Sequence, residues 1–224
     1  MLVSHAAAFE QLCNERDVIV VSGAQESQMR DQLPEKEAMG RYYLLTQNGN
    51  HALAKDGTVL WVEHFAPQQE TAITSFIAKL HDELDLPVRD EHDLVEHRGS
   101  QISYSLIGHH EDHDKKGAFD PDHAKRLHIL QQHAGDVEDL KIAGVDVRSA
   151  GTTCFDFYPL GKHKGYNIER FIKYMGWNKE DCMYIGDALF PGGNDETVIG
   201  VIPTHAVKDQ DETSDFIKNA LLSS

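Results

Sequence analysis

A run of four β-branched residues, Val18–Val21, most constrains the fold of this chain. The run is apolar on both faces, and strands of this kind occur in parallel sheets that are covered by helices on both sides. A helical pattern over residues 4–16 precedes it, and Ser22-Gly23-Ala24 ends it. The sequence therefore predicts an α/β fold with a parallel sheet.

The middle of the chain has a different pattern, in which helices and strands do not alternate regularly. Its predicted elements include one long amphipathic helix and three strands, at residues 70–84, 101–107, 142–148 and 152–158. The α/β pattern returns after this block. We expect a core formed by residues 1–66 and 161–224, into which residues 67–160 are inserted as a separate α+β domain.

Composition disfavours several classes of function. The net charge is -16, so the general surface would repel nucleic acid and anionic lipid. The apolar runs are too short to cross a bilayer, and the first residues lack the basic segment of a secretory signal. Cys13, Cys154 and Cys182 have no Cys-x-x-Cys spacing, which argues against a zinc ribbon or a disulfide framework. We expect a cytoplasmic protein without nucleic-acid or membrane partners.

Ser22 and Gly23 form the first candidate binding motif. In an open parallel sheet, ligands bind beyond the carboxyl ends of the strands. A hydroxyl followed by a glycine and a helix start can hold a phosphate through the side chain and backbone N–H groups. Many turns between a strand and a helix carry Ser-Gly for geometry alone, so a purely structural role remains open.

The segment Gly186–Asp195 is a more specific motif. Asp187 follows a short apolar strand, and the glycines after Pro191 let the loop turn back, so that Asn194 and Asp195 return oxygen atoms towards Asp187. Hard oxygen ligands of this kind suit Mg²⁺. The alternative is a glycine-rich turn in which Asp195 caps the next helix.

Lys164 lies just before a predicted helix and is a candidate cation. An ammonium group there could neutralise a phosphoryl group or a carboxylate nucleophile. Lys162 is the rival for this role, and an ordinary surface lysine is the simpler alternative.

Taken in order, Ser22, Lys164 and Gly186–Asp195 resemble motifs II, III and IV of the haloacid dehalogenase superfamily. Phe155–Lys164 and Pro191–Asp195 are similar to segments of eukaryotic-type phosphomannomutases and of bacterial sugar phosphatases with a type IIB cap. The inserted block lies where those proteins carry their α+β cap. The resemblance implies a Rossmann-like core, bound Mg²⁺ and hydrolysis of a phosphorylated sugar or similar small metabolite through an aspartyl phosphate.

The family's Asp-x-Asp-Gly-Thr motif, which carries the nucleophile and the acid/base, is absent from these residues. Asp56-Gly57-Thr58 is the one Asp-Gly-Thr in the sequence, but it follows Lys55 in a predicted hairpin turn rather than an apolar strand. We therefore expect the first core strand to be missing, with its natural place ahead of residue 1, and these 224 residues to be inactive.

The resemblance also assigns substrate-binding residues to the cap. Arg98 resembles a phosphate-binding arginine of the mutases, His109 stands where they have another arginine, and Asp156 resembles a residue that contacts sugar hydroxyls. Histidine lacks the fixed charge and fork of arginine, which favours a phosphatase over a phosphomannomutase. A non-catalytic module that binds a sugar phosphate or a protein is the alternative of a different class, and a homodimer is possible.

His109–Asp122 is predicted as a polar loop rich in histidine, and a helix is expected after it, at about residues 121–134. The cluster His109–His113 invites a transition-metal interpretation. His109 and His113 are four residues apart, but the segment is predicted as a loop and offers no helical framework, so we favour a solvated loop over a metal site.

Overall fold

The computed structural model describes residues 3–33, 40–84, 86 and 88–222. The helices are α1 (Val3–Glu15), α2 (Glu26–Gln32), α3 (Pro67–Glu83), α4 (His113–Phe119), α5 (Ala124–Gln132), α6 (Ala134–Ile142), α7 (Lys164–Met175) and α8 (Gln210–Phe216). The strands are β1 (Val18–Val21), β2 (Tyr42–Thr46), β3 (His51–Leu53), β4 (Val59–Val62), β5 (Val95–His97), β6 (Ile102–Ser105), β7 (Val145–Ala150), β8 (Cys154–Pro159), β9 (Tyr184–Gly186) and β10 (Thr204–Ala206). Over the described ranges, no helix is both long enough and apolar enough to span a membrane.

The chain divides into two compact units. The first comprises residues 1–62, 163–191 and 195–224, and the second comprises residues 63–162 and 192–194. The sequence predicted boundaries after residues 66 and 160. The strands of the second unit form a sheet of their own, and the α/β fold with an inserted α+β block is confirmed.

The parallel sheet of the first unit is split into two pieces. In one piece the strands lie in the order β1-β2-β3-β4, with β1 parallel to β2. In the other piece β9 is parallel to β10. Among the described residues, β1 and β9 each pair with a strand along one edge only. One apolar cluster includes Ile19 and Val21 of β1, Tyr184 of β9 and Phe171 of α7, so α7 covers both pieces.

The open edges can be assigned to particular backbone groups. The N–H of Ser22 donates to Leu45, on the β2 side, at 3.1 Å. Since N–H groups alternate in direction along a strand, those of Ile19 and Val21 point to the open edge. The N–H of Tyr184 donates to Pro203, on the β10 side, so that of Ile185 also points to an open edge.

All four residues of β1 are only half-buried, although their sequence is typical of a strand buried on both faces. The missing neighbour along one edge is the physical reason. This observation agrees with the expectation that a core strand is missing from these residues.

The second unit has an antiparallel sheet in the order β5-β6-β8-β7, packed against α3 and α6. The predicted polar loop His109–Asp122 was partly wrong, because it contains α4. The Asp112 carboxylate caps α4 by accepting the backbone N–H groups of Asp114 and Lys115 at 3.0 and 3.2 Å. The strand predicted at 142–148 begins only at Val145, because α6 occupies the residues up to Ile142.

Candidate active site

Lys164 is the first residue of α7, and its ammonium group pairs with the Asp195 carboxylate inside the first unit. The two side chains are 5% and 3% exposed. The helix begins here because His163 accepts the backbone N–H of Tyr166 on its Nδ1 at 3.1 Å. Lys164 is therefore a buried cation with a fixed position, and the alternative of an ordinary surface lysine is excluded.

Asp195 receives further hydrogen bonds. The Tyr184 hydroxyl donates to Oδ1 at 2.8 Å, and the backbone N–H of Ala188 donates to Oδ2 at 3.3 Å. Burial and the nearby Asp195 charge raise the pKa of Tyr184 above its ordinary value, so Tyr184 remains a donor. A Cβ added at Gly186 would lie 2.3 Å from Asp195 Oδ2, so only glycine fits beside this carboxylate.

Three residues were predicted to bind Mg²⁺. The carboxylate of Asp187 is exposed, and within the described part of the chain it accepts no hydrogen bond. In the second unit, Oδ1 of Asn194 is buried and likewise has no hydrogen-bond partner among those residues. Oxygen donors without partners fit the requirements of Mg²⁺. The Asp195 carboxylate is already occupied by Lys164 and Tyr184, which favours a supporting role for it.

The described residues contain no group of three or more histidine, cysteine, aspartate or glutamate side chains placed to hold a metal. Mg²⁺ usually takes one or two carboxylates together with water and substrate oxygens, so Asp187 of the first unit would bind it together with water and substrate oxygens.

Ser22 and Gly23 lie where β1 ends. The Ser22 hydroxyl accepts the backbone N–H of Ala24 at 3.1 Å, and its carbonyl accepts the N–H of Asn48 at 2.8 Å. Asn167, one turn after Lys164 on α7, donates from its side-chain amide to the Asn48 carbonyl at 3.0 Å. This chain of hydrogen bonds ties the Ser22 turn to the helix that carries Lys164.

In the second unit, the Arg98 guanidinium is bound by Glu96. Nε and one terminal nitrogen of Arg98 donate to the same Glu96 oxygen at 2.9 and 2.7 Å. His109 lies 3.7 Å from the other Glu96 oxygen, and its side chain is 7% exposed, so the prediction of a solvated loop was wrong for this residue. Glu96 therefore offsets much of the positive charge predicted to bind phosphate.

Asp156 lies on β8 and accepts the Ser103 hydroxyl at 2.7 Å. Ser103 is its partner on the neighbouring strand β6. Burial raises the pKa of Asp156 above its ordinary value, despite the opposing effect of Arg98. Asp156 is therefore a buried carboxylate on an inner strand of the sheet, between β6 and β7.

Sequence reasoning missed Tyr184, Glu96 and Ser103. Glu96 could have been found, because it is an opposite charge only two residues from Arg98 in the sequence. Tyr184 and Ser103 gave no such signal, because their partners are fixed only by the packing of the loops and by the strand register.

The sequence was compared with protein-family profiles and with curated proteins. The profile of the haloacid dehalogenase-like hydrolase family matches residues 4–197. No curated protein matches the sequence.

Solved structures similar to this one share its fold at low sequence identity. A haloacid dehalogenase-like hydrolase from B. subtilis is 12% identical, with 98% of this chain and 93% of that chain covered and a TM-score of 0.62. The sucrose-phosphatase from Synechocystis is 16% identical, with 98% and 83% covered and a TM-score of 0.57. An N-terminally truncated IMP-nucleotidase from Plasmodium falciparum is 12% identical, with 97% of this chain but 64% of that chain covered, and a TM-score of 0.64. This chain thus spans less than two thirds of that nucleotidase.

Proposed function

Because the chain belongs to the haloacid dehalogenase-like hydrolases, we propose that its site binds a small phosphorylated metabolite, such as a sugar phosphate, for Mg²⁺-dependent phosphohydrolysis. The observation that carries this proposal is the buried ion pair between Lys164 and Asp195. The backbone N–H of Ala188, the residue after the exposed Asp187, donates to the same Asp195 carboxylate. A fixed buried cation and a carboxylate that accepts no hydrogen bond from the described residues suit a phosphoryl group and a divalent cation better than a neutral ligand. Phosphatases also occur among the proteins of similar fold.

Each residue has a distinct role in this proposal. Lys164 stabilises negative charge on the phosphoryl oxygens, and Ser22 and Gly23 donate hydrogen bonds to them. Asp187 holds Mg²⁺, which when bound neutralises phosphoryl charge. Asp195 keeps Lys164 in place.

The covalent step needs a carboxylate nucleophile in line with phosphorus. Asp56 does not serve, because it is exposed in the turn between β3 and β4 and accepts the Thr58 N–H at 2.9 Å. We therefore expect these 224 residues alone to bind the phosphate without turning it over. A binding module without turnover is the second candidate function, and the absence of Asp-x-Asp-Gly-Thr from the sequence is what favours it.

A phosphomannomutase is less favoured. A mutase must bind a phosphate at each end of its substrate, and Glu96 already occupies the Arg98 guanidinium that a second phosphate would need. A buried Asp156 with a raised pKa is better suited to hydroxyl groups than to a phosphate.

The test is phosphate release with Mg²⁺ by two purified proteins, the 224-residue chain and the same chain with a strand bearing Asp-x-Asp-Gly-Thr fused ahead of α1. We expect activity against mannose and glucose phosphates only from the fusion, and its loss in Asp187→Asn. The control is Asp215→Asn, which changes an exposed carboxylate of α8.

Binding is measured in parallel by calorimetry with mannose 6-phosphate and Mg²⁺. If both proteins bind the ligand and neither releases phosphate, the binding module is favoured. No binding by either protein would contradict both functions, and Asp187-dependent turnover by the short chain would show that another residue serves as nucleophile.

A further inference from the structure

Cys154 at the start of β8 faces an imidazole that is oriented to take its proton. Its Sγ lies 4.0 Å from Nδ1 of His109. The other ring nitrogen, Nε2, lies 3.2 Å from the carbonyl oxygen of Ser103. A carbonyl can only accept, so Nε2 carries the hydrogen in the neutral ring, and this assignment leaves the lone pair of Nδ1 facing the thiol.

The charged groups around Cys154 favour transfer of that proton. Glu96 on β5 lies 3.7 Å from the same Nδ1, where its carboxylate stabilises the imidazolium. From α5, Arg126 donates to the Cys154 carbonyl at 3.1 Å and adds positive charge. Asp156 on the same strand opposes the thiolate, and burial raises the pKa of Asp156 above its ordinary value.

The pKa of Cys154 is shifted in the opposite direction to those of the other two cysteines. Although burial acts to raise it, the hydrogen bond with His109 holds the pKa of Cys154 below its ordinary value. Burial raises the pKa of Cys13 to about 11. Burial and the nearby charges of Asp181 and Glu180 raise the pKa of Cys182. The sulfur of Cys182 lies at an exposed contact and that of Cys154 at a part-buried one, so a faster reaction of Cys154 would reflect its chemical environment and not its access.

We propose that Cys154 is a modification site, a reactive thiolate paired with His109 that forms a mixed disulfide with low-molecular-weight disulfides. The thiolate sulfur attacks one sulfur of the disulfide, a new S–S bond forms, and the original S–S bond breaks. The departing half leaves as a thiolate and takes a proton from water. Cys154 is thereby oxidised and the departing half is reduced. This reaction is independent of any phosphate chemistry in the first unit.

The adduct has a consequence for the cap. Cys154 and Asp156 share a face of β8, and His109 contacts both Cys154 and the Glu96 that binds Arg98. A group attached to Sγ replaces the thiol that His109 faces. Modification of Cys154 therefore disturbs the polar cluster that was predicted to bind substrate.

The test measures alkylation of the folded chain by iodoacetamide from pH 5 to 10, with each cysteine followed by peptide mass spectrometry. We expect Cys154 to react at neutral pH with a midpoint below about 8.5, the value of a free cysteine, and Cys182 to react only at higher pH. Oxidised glutathione at pH 7 should then modify Cys154 and spare Cys182 and Cys13.

Two variants test the role of the imidazole. His109→Gln should raise the midpoint of Cys154 and slow its reaction at pH 7 by about tenfold for each pH unit of the rise. Glu96→Gln should raise the midpoint of Cys154 less. This variant tests the proposal if His109→Gln does not fold. The midpoint of Cys182 should not move in either variant. The proposal is overturned if Cys154 stays unmodified at every pH, if Cys182 reacts faster at pH 7, or if neither variant moves the midpoint.

Discussion

The Lys164 ammonium and the Asp195 carboxylate form an ion pair in the interior of the first unit, between residues 31 positions apart. Removing one partner leaves the other as an uncompensated buried charge. We therefore expect Lys164→Ala to lower the free energy of unfolding by about 3–5 kcal/mol. Urea denaturation followed by circular dichroism measures the change.

The matched control is Lys173→Ala, which removes an exposed lysine from the same helix and should change stability by less than about 0.5 kcal/mol. Replacing both partners, as Lys164→Met with Asp195→Leu, should recover part of the loss because no charge then stays buried. Equal effects of Lys164→Ala and Lys173→Ala would show that the pair contributes nothing to the fold.

Two helical glycines should respond to alanine in opposite directions. At Gly165, near the start of α7, an added Cβ would lie 1.9 Å from the carbonyl oxygen of Thr197, so α7 and the Glu196–Val198 turn must separate. At Gly135 in α6 an added Cβ meets nothing within 4 Å. We expect Gly165→Ala to destabilise the protein, and Gly135→Ala to stabilise it by about 0.4–1 kcal/mol, in thermal unfolding. A stable Gly165→Ala protein would mean that α7 does not approach this turn so closely.

A strand fused ahead of α1 should fill the open edges of β1 and β9. The amides of Ile19, Val21 and Ile185 point to those edges, so hydrogen exchange at these three positions should slow in the fusion. The amide of Val20 already points to β2 and should change little. The matched control carries proline at alternate positions of the added strand, because proline cannot donate to a ladder. Unchanged exchange at all three amides would mean that the added strand lies elsewhere.

Asp120 and Arg126 form a second buried ion pair, within the second unit, at 2.7 Å. Although burial acts to raise it, hydrogen bonds from Arg126 and from the backbone of Lys125 hold the pKa of Asp120 below its usual range. A folded-state pKa below the unfolded value of about 3.9 stabilises the protein above that pH, and the stabilisation is lost as the pH falls through the folded pKa.

Asp120→Asn should therefore destabilise the second unit at neutral pH, and its urea midpoint should fall less than that of the wild type below about pH 4. Asp114→Asn changes an exposed carboxylate of α4 and should follow the wild type. If the urea midpoints of Asp120→Asn and the wild type fell equally below about pH 4, the lowered pKa of Asp120 would be contradicted.

Local sequence determined the strands of the first unit that carry the candidate site, and the polar residues at their ends. Val18–Val21 could only be an apolar strand, and Ser22 and Asp187 follow directly from strands that end before them. These predictions needed only periodicity and chain order, since a strand's carboxyl end is fixed by where its apolar run stops. The family followed from the same local motifs and their order.

Only the tertiary structure decided which partners those residues meet. Asp195 was predicted to bind a metal, but the packing of α7 brings Lys164 to its carboxylate. The thiol of Cys154 meets His109 through the pairing of β6 with β8, which no local pattern encodes. Contacts between residues far apart in the chain depend on strand register and helix packing, which arise from the whole core rather than from any one segment.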